Sequence, residues 1–154
     1  MNKLYLIPLI IFFISCEKND SSTNLTIHFN HTNNNSNSLE LDSTSYLNSS
    51  SQSYTVNRLW YLISNLKLHR SNGELVEIED IHFVDVKNRE TTFIDYGTID
   101  EGMYNNISFT LGLDSLKNVD NQYVNSSWHS DMFWPNDPMM GSGGYHYMKL
   151  EGTY

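Results

Sequence analysis

Residues 56–69 decide the fold, and they read Val-Asn-Arg-Leu-Trp-Tyr-Leu-Ile-Ser-Asn-Leu-Lys-Leu-His. Their apolar side chains fit two periods. The helical period gathers Leu59, Leu62, Ile63 and Leu66. The period of a strand gathers on one face Trp60, Leu62, Ser64, Leu66 and Leu68. The whole chain of 154 residues lacks alanine, the best helix former, and contains 10 Tyr and 7 Phe, which favour strands. We therefore predict a strand here.

A turn signal follows this strand directly. Ser71-Asn72-Gly73 contains the Asn-Gly pair, which supplies the positive φ angles of a tight hairpin turn. Residues 65–69 are therefore expected to pair with residues 75–78. A further strand is expected over residues 81–86.

Strand patterns continue on both sides of this hairpin. Residues 25–29 alternate apolar and polar side chains, and a short strand is expected near residues 39–41, beyond an Asn- and Ser-rich loop at 33–38. Residues 103–111 place Met103, Ile107, Phe109 and Leu111 on one strand face. Residues 145–150 form the last strand. About seven or more short strands without a long helix predict an all-β fold, an antiparallel β-sandwich.

The N-terminus has the pattern of an export signal. Lys3 precedes an apolar run over residues 4–14, which is too short to span a bilayer as a helix. The run ends at Ser15-Cys16, where the one cysteine of the chain follows a small residue, as in a bacterial lipobox. We expect residues 1–15 to be a lipoprotein signal peptide, Cys16 to be lipidated, residues 16–24 to be a polar tether and residues 25–154 to be the domain. An uncleaved signal anchor is the alternative.

The charge of the chain limits its partners. Nine Lys and Arg residues stand against 18 Asp and Glu residues, a net charge of −9. This charge disfavours nucleic acid as a partner. A metal cation or a cationic protein surface suits the sign better, although acidity also serves solubility alone.

Methionines and two histidines point to a soft metal ion. Four methionines crowd into the last part of the chain: Met132, Met139, Met140 and Met148. Thioether sulfur and imidazole both suit Cu(I), but methionine also fills irregular gaps in cores. Strand parity points His31 to the core side at the end of the first strand, and His146 shares a face with Met148. Buried histidines that bond to backbone groups are the alternative.

Enzyme signatures are missing from the sequence. It contains no Gly-x-Ser-x-Gly elbow, no His-Glu-x-x-His motif, no phosphate-cradling loop and no available cysteine nucleophile. Trp128 and Trp134 flank the methionine cluster, either as core anchors or as an exposed binding platform. Two functions remain open, a copper-binding protein and a non-metal envelope interaction module that serves a transport receptor or a glycan.

Five segments in order resemble a known family. They are Phe29-Asn30-His31, residues 60–68, Gly102-Met103-Tyr104 with residues 109–114, Met132-Phe133-Trp134, and residues 143–152. Together they resemble the MbnP-like copper-binding protein family, which is related to MopE and CorA. The resemblance covers about residues 25–154.

The resemblance implies a secreted or envelope-anchored β-sandwich without enzymatic activity. Together with the lipobox pattern, it leads us to expect a lipid-anchored protein of the bacterial cell envelope, at the outer membrane. It implies copper, with Cu(I) favoured, held by His31 and His146, and Trp134 as the position for oxidation to kynurenine. We expect Met148, Met139 or Met140 as soft auxiliary ligands. A di-haem MauG-like peroxidase or a TonB-dependent receptor is the expected protein partner.

The end of the sequence departs from the family. Family members continue past Leu150-Glu151-Gly152 through another strand to a His-Gly motif, whereas this sequence stops at Tyr154. A C-terminal truncation, with an exposed sheet edge and a partly open site, is therefore expected.

Overall fold

The computed structural model describes residues 21–33, 37–139 and 141–154. Within them the chain forms nine strands: β1 Ser22–His28, β2 Ser45–Leu47, β3 Ser53–Arg70, β4 Leu75–Asp85, β5 Phe93–Asp100, β6 Tyr104–Leu111, β7 Phe133–Trp134, β8 Gly144–Tyr145 and β9 Met148–Thr153. A 3-10 turn at Arg89–Thr91 and one short helix, α1 at His129–Met132, complete the elements. All strand pairs are antiparallel, which confirms the all-β fold.

Strand β3 is the centre of a five-stranded sheet, and at 18 residues it is longer than the short strands expected. Trp60 pairs with Asp85 of β4 and with Lys149 of β9, so these two strands lie on opposite edges of β3. β2 lies on the β4 side and β6 on the β9 side. β6 and β9 therefore lie end to end along one edge of β3. Between them the described residues 112–139 and 141–147 leave the sheet.

A bulge at Asn65 corrects the predicted face of β3. Asn65 has φ 54°, a left-handed conformation that asparagine tolerates better than most residues, and the pairing register shifts there. The parity of the side chains changes at this point. Leu66 and Leu68 therefore lie on the same face as Ile63, and the prediction that they share a face with Leu62 is wrong.

The strands around β3 agree only in part with the predictions made from the sequence. The turn at Gly73, with φ 88°, joins β3 to β4, and this confirms the predicted hairpin. β4 is one strand that extends into the segment predicted as a separate strand at 81–86. The short strand predicted near residues 39–41 is wrong, because β2 lies at Ser45–Leu47, where it pairs with the start of β3.

One face of the sheet packs against the β1–β5 pair. Tyr61, Ile63 and Leu66 of β3 lie in one buried cluster with Ile94 and Ile99 of β5. Leu25, Ile27 and Phe29 pack against this cluster, as the alternation predicts. The sheet and the β1–β5 pair thus form the two layers of a β-sandwich.

The other face is covered by the segment that leaves the sheet. Leu62 of β3 packs with Leu113, Trp128, Met132 and Tyr145, and Leu62 and Met132 have no exposed surface. Trp128 is therefore a core anchor, and Met132 fills the core. In the described residues no helix is long and apolar enough to cross a membrane.

Candidate functional site

His31 lies just beyond β1, over the central strand. Its Nε2 lies 2.8 Å from the hydroxyl oxygen of Tyr61. Burial lowers the pKa of His31 and raises the pKa of Tyr61 to about 12. A neutral phenol therefore faces a neutral imidazole at neutral pH, and the phenol can donate its hydrogen to Nε2.

An open cavity of about 400 Å³ joins this pair to β9. Met148 is the register partner of Tyr61 across the β3–β9 pair, which places both side chains on the same face. The cavity wall includes His28, His31, Tyr61 and Met148, beside the apolar side chains of Phe29, Leu59 and Leu111. His31 and Met148, both predicted as metal ligands, thus line one cavity.

His146 contacts a different partner, Trp134. The two rings meet edge to face, with centroids 4.7 Å apart. The backbone N–H of His146 donates to the carbonyl of Met132 at 2.7 Å, and Trp134 pairs with Gly144 in the β7–β8 ladder. Burial and, to a smaller extent, the charge of Lys149 lower the pKa of His146. The predicted ligand and the predicted site of oxidation are thus neighbours.

Of the other predicted site residues, Met139 is described by the structure, and it lies apart from both pairs. Met139 is 95% exposed in the turn between Asp137 and Gly141, and its N–H donates to the Asp137 carboxylate at 2.7 Å. Cys16 and Met140 lie outside the described residues. The side chain of Met139 is therefore almost completely in solvent and is not packed against His31 or His146.

Three of the remaining histidines have structural partners. His69 bonds to Ser108 at 2.7 Å, His82 to the carbonyl of Thr91 at 2.8 Å and His129 to Tyr145 at 3.0 Å. Each of these bonds joins two elements of the fold. These histidines therefore serve as structural links.

Sequence reasoning missed two residues of the cavity, His28 and Tyr61. His28 is exposed, as parity indicates, but it still borders the cavity because the chain turns after β1. Tyr61 lies within an apolar run, so nothing in the local sequence distinguishes it from a core tyrosine. The His28-x-x-His31 spacing was the one available signal for His28.

The donor set of the cavity favours a soft ion. It offers two imidazoles and a thioether, which suit Cu(I) better than a hard cation such as Ca²⁺. Within the described residues, no group of three or more His, Cys, Asp or Glu side chains could hold a metal ion. A copper ion here would therefore be held by few ligands, including sulfur.

Comparison with known proteins gives one match. The model of the MbnP family matches residues 22–154. No curated protein and no solved structure matches the chain.

Proposed function

The chain belongs to the MbnP family, and on that premise we propose that it is a cell-envelope lipoprotein that binds copper, as Cu(I), for carriage, uptake or homeostasis. Copper is its cargo, and the protein has no enzymatic activity. His31 and Met148 are the proposed ligands of the cavity between β1 and β9. His28 stands beside them as a third donor.

The observation that carries this proposal is the position of His31 and Met148. They are far apart in the sequence, yet they line the same cavity. The lowered pKa of His31 keeps its imidazole neutral, and the neutral form is the one that can ligate a metal. Copper would replace the Tyr61 hydroxyl as the partner of Nε2.

The pair of His146 and Trp134 supports a second role. We propose that Trp134 is the residue oxidised to kynurenine, by a di-haem MauG-like peroxidase as the external oxidant. Its edge contact with His146 would place the oxidised side chain beside an imidazole that is also kept neutral by burial. Peptide mass spectrometry of native protein would test this: a mass change confined to the Trp134 peptide supports it, and unmodified Trp134 in copper-replete cells contradicts it.

The envelope location is a separate part of the proposal. Lipidation at Cys16 would anchor the chain in the outer membrane, where a TonB-dependent receptor could receive its copper. Labelling cells with a fatty-acid analogue tests this, because Cys16→Ser should abolish label while wild-type chain carries it. Label that persists in Cys16→Ser would exclude Cys16 as the anchor.

Copper retention tests the site. The full chain is loaded anaerobically with Cu(I), challenged with a Cu(I) chelator, and its copper measured by mass spectrometry. We expect about one copper per chain in wild type and an affinity about tenfold or more weaker in His31→Ala. His69→Ala is the matched control, because His69 bonds to Ser108 and not to a residue of the cavity wall.

Two results would contradict this assignment. Equal retention by wild type and His31→Ala would remove His31 from the site. Loss of copper in His69→Ala to the same degree would show that the losses reflect damage to the fold.

A further inference from the structure

Four side chains of β3 and β9 form a group around Trp60, on the Leu62 side of the sheet. Arg58 and Trp60 are two residues apart on β3, so they share a face, and their register partners on β9 are Glu151 and Lys149. The guanidinium carbon of Arg58 lies 4.2 Å from the centroid of the Trp60 ring. Its Nη1 donates to the Glu151 carboxylate at 2.6 Å. The ring of Trp60 is thus covered by a cation that an ion pair holds in place.

The three tryptophans of the chain differ in their surroundings. Trp128 is buried, with 8% of its surface exposed, whereas Trp60 and Trp134 are both half-buried. Access to solvent therefore does not distinguish Trp60 from Trp134. Among the described residues, contacts between a cation and an aromatic ring involve Trp60 and Tyr104, and none involves Trp134. The ring in contact with Trp134 is the imidazole of His146, whose pKa is lowered by burial, so that it is neutral at neutral pH.

A cation against an indole ring matters when the ring loses an electron. The π electrons of a neutral indole attract a cation, whereas an indole radical cation repels it. Arg58 therefore makes the loss of an electron from Trp60 less favourable. Lys149 does not separate the two sites, because its Nζ lies 6.0 Å from the Trp60 ring but its charge also lowers the pKa of His146 beside Trp134.

We propose that Arg58 directs oxidation of the protein to Trp134, because it shields Trp60 from the loss of an electron. Arg58 thereby determines which indole reacts in the oxidation proposed above for Trp134, on which this role rests. In the step concerned, one electron passes from the indole to the oxidant, and no bond is made or broken. The shield acts against any one-electron oxidant, the peroxidase included.

The test replaces the peroxidase by the azide radical, made by radiolysis of an aerated azide solution of the full chain. This radical carries no charge, so its approach does not depend on the charge of the surface, and it takes one electron from an indole to become azide ion. The oxidised indoles then add oxygen from O₂, and peptide mass spectrometry assigns the mass increase to Trp60, Trp128 or Trp134. In wild type we expect about two to five times more modification at Trp134 than at Trp60.

Variants of Arg58 separate its charge from its cover of the ring. Arg58→Met removes the charge and keeps a long side chain, so modification of Trp60 should rise about two- to fivefold, the factor that corresponds to a cation–π contact at a site that is 41% exposed. Arg58→Lys keeps a cation and should leave the modification of Trp60 near that of wild type. Lys67→Met is the matched control, because Lys67 is a cation of the same strand that bonds to Glu77 and not to an indole.

Several results would overturn the proposal. Equal modification of Trp60 in wild type and Arg58→Met would mean that Glu151 cancels the charge of Arg58 at the ring. A rise in Arg58→Lys or Lys67→Met as large as that in Arg58→Met would assign the effect to lost cover or to net charge. Modification of Trp60 equal to that of Trp134 in wild type would show that Trp60 is not shielded.

Failure of this role and failure of the proposed function can be told apart. The azide assay contains no peroxidase and no copper, so it measures the shield at Trp60 whether or not Trp134 is modified in cells. Unmodified Trp134 in copper-replete cells would contradict the proposed oxidation alone. Circular dichroism of each variant verifies that the fold is kept.

Discussion

The two faces of strand β3 differ in what covers them. On the face of Leu62, residues 112–139 and 141–147 form a lid with Trp128 and Met132, and Leu62 is completely buried. On the face of Tyr61, the β1–β5 pair covers only part of the sheet, and Met148 and Leu111 stay about half exposed. Both faces bury core residues, but only the open face also carries an imidazole, a thioether and a phenol that line a cavity open to a ligand.

Truncation of Leu62 should show the largest effect. Leu62→Ala leaves a cavity in a face that cannot collapse easily, so the free energy of unfolding should fall by about 2–5 kcal/mol in urea titrations. Leu150→Ala on the open face is the matched change, and its cost should stay within about 1 kcal/mol because Leu150 is 61% exposed. An equal fall in the free energy of unfolding in the two variants would contradict the difference between the two faces.

Substitution of Gly112, at the point where the lid leaves β6, should have the next largest effect on the free energy of unfolding. It has φ 91°, and an added Cβ would lie 2.5 Å from the ring of Tyr147. Gly112→Ala should therefore cost about 2–4 kcal/mol, from backbone strain together with the clash. Gly73→Ala has nearly the same backbone strain, with φ 88° and open space around it, so it should cost about 1–2 kcal/mol. Similar costs would mean that Tyr147 moves aside freely.

Tyr61 allows a smaller and more selective test of the open face. Tyr61→Phe removes the hydroxyl that bonds to His31, so the free energy of unfolding should fall by about 1 kcal/mol. Cu(I) affinity should not fall, because the phenol and the metal compete for the same Nε2. A large loss of copper in Tyr61→Phe would instead make the phenol a ligand.

Acid should weaken the fold through His31 and His146. Both have a pKa below the ordinary value of 6.5, so the unfolded chain binds protons more readily than the folded chain. Their contribution to stability is therefore complete above pH 6.5 and is lost as the pH falls from there through the lowered values. Chemical denaturation across this range should show a smaller decline in the double variant His31→Gln, His146→Gln than in wild type. Equal declines would assign the acid sensitivity to other groups.

Local pattern was enough to predict the hairpin and several of the strands, but it did not predict β5, the bulge or the position of β2. The alternation of apolar residues continues through Asn65, and only the identity of this residue, an asparagine that tolerates a left-handed backbone, hints at a bulge. The pattern Leu39-Glu40-Leu41 looks as strand-like as Ser45–Leu47. Pairing with the start of β3, across the turn at residues 48–52, selects the second.

The candidate site could be predicted only in part, because the sequence does not show which strands pack over one another. Parity along β1 places His31 on the core side, but it cannot say which residue of another strand lies beneath it. Tyr61 and Met148 become neighbours of His31 only when β1 packs over the β3–β9 pair. The contact between Trp134 and His146 likewise depends on the β7–β8 ladder.

The central claim is that the open face binds copper through an imidazole and a thioether. X-ray absorption at the copper edge of the Cu(I)-loaded chain tests it most directly, because nitrogen and sulfur neighbours scatter differently. We predict a mixed nitrogen and sulfur shell whose sulfur contribution disappears in Met148→Ala and persists in Met139→Ala. A shell without sulfur, or one unchanged by Met148→Ala, would contradict the account.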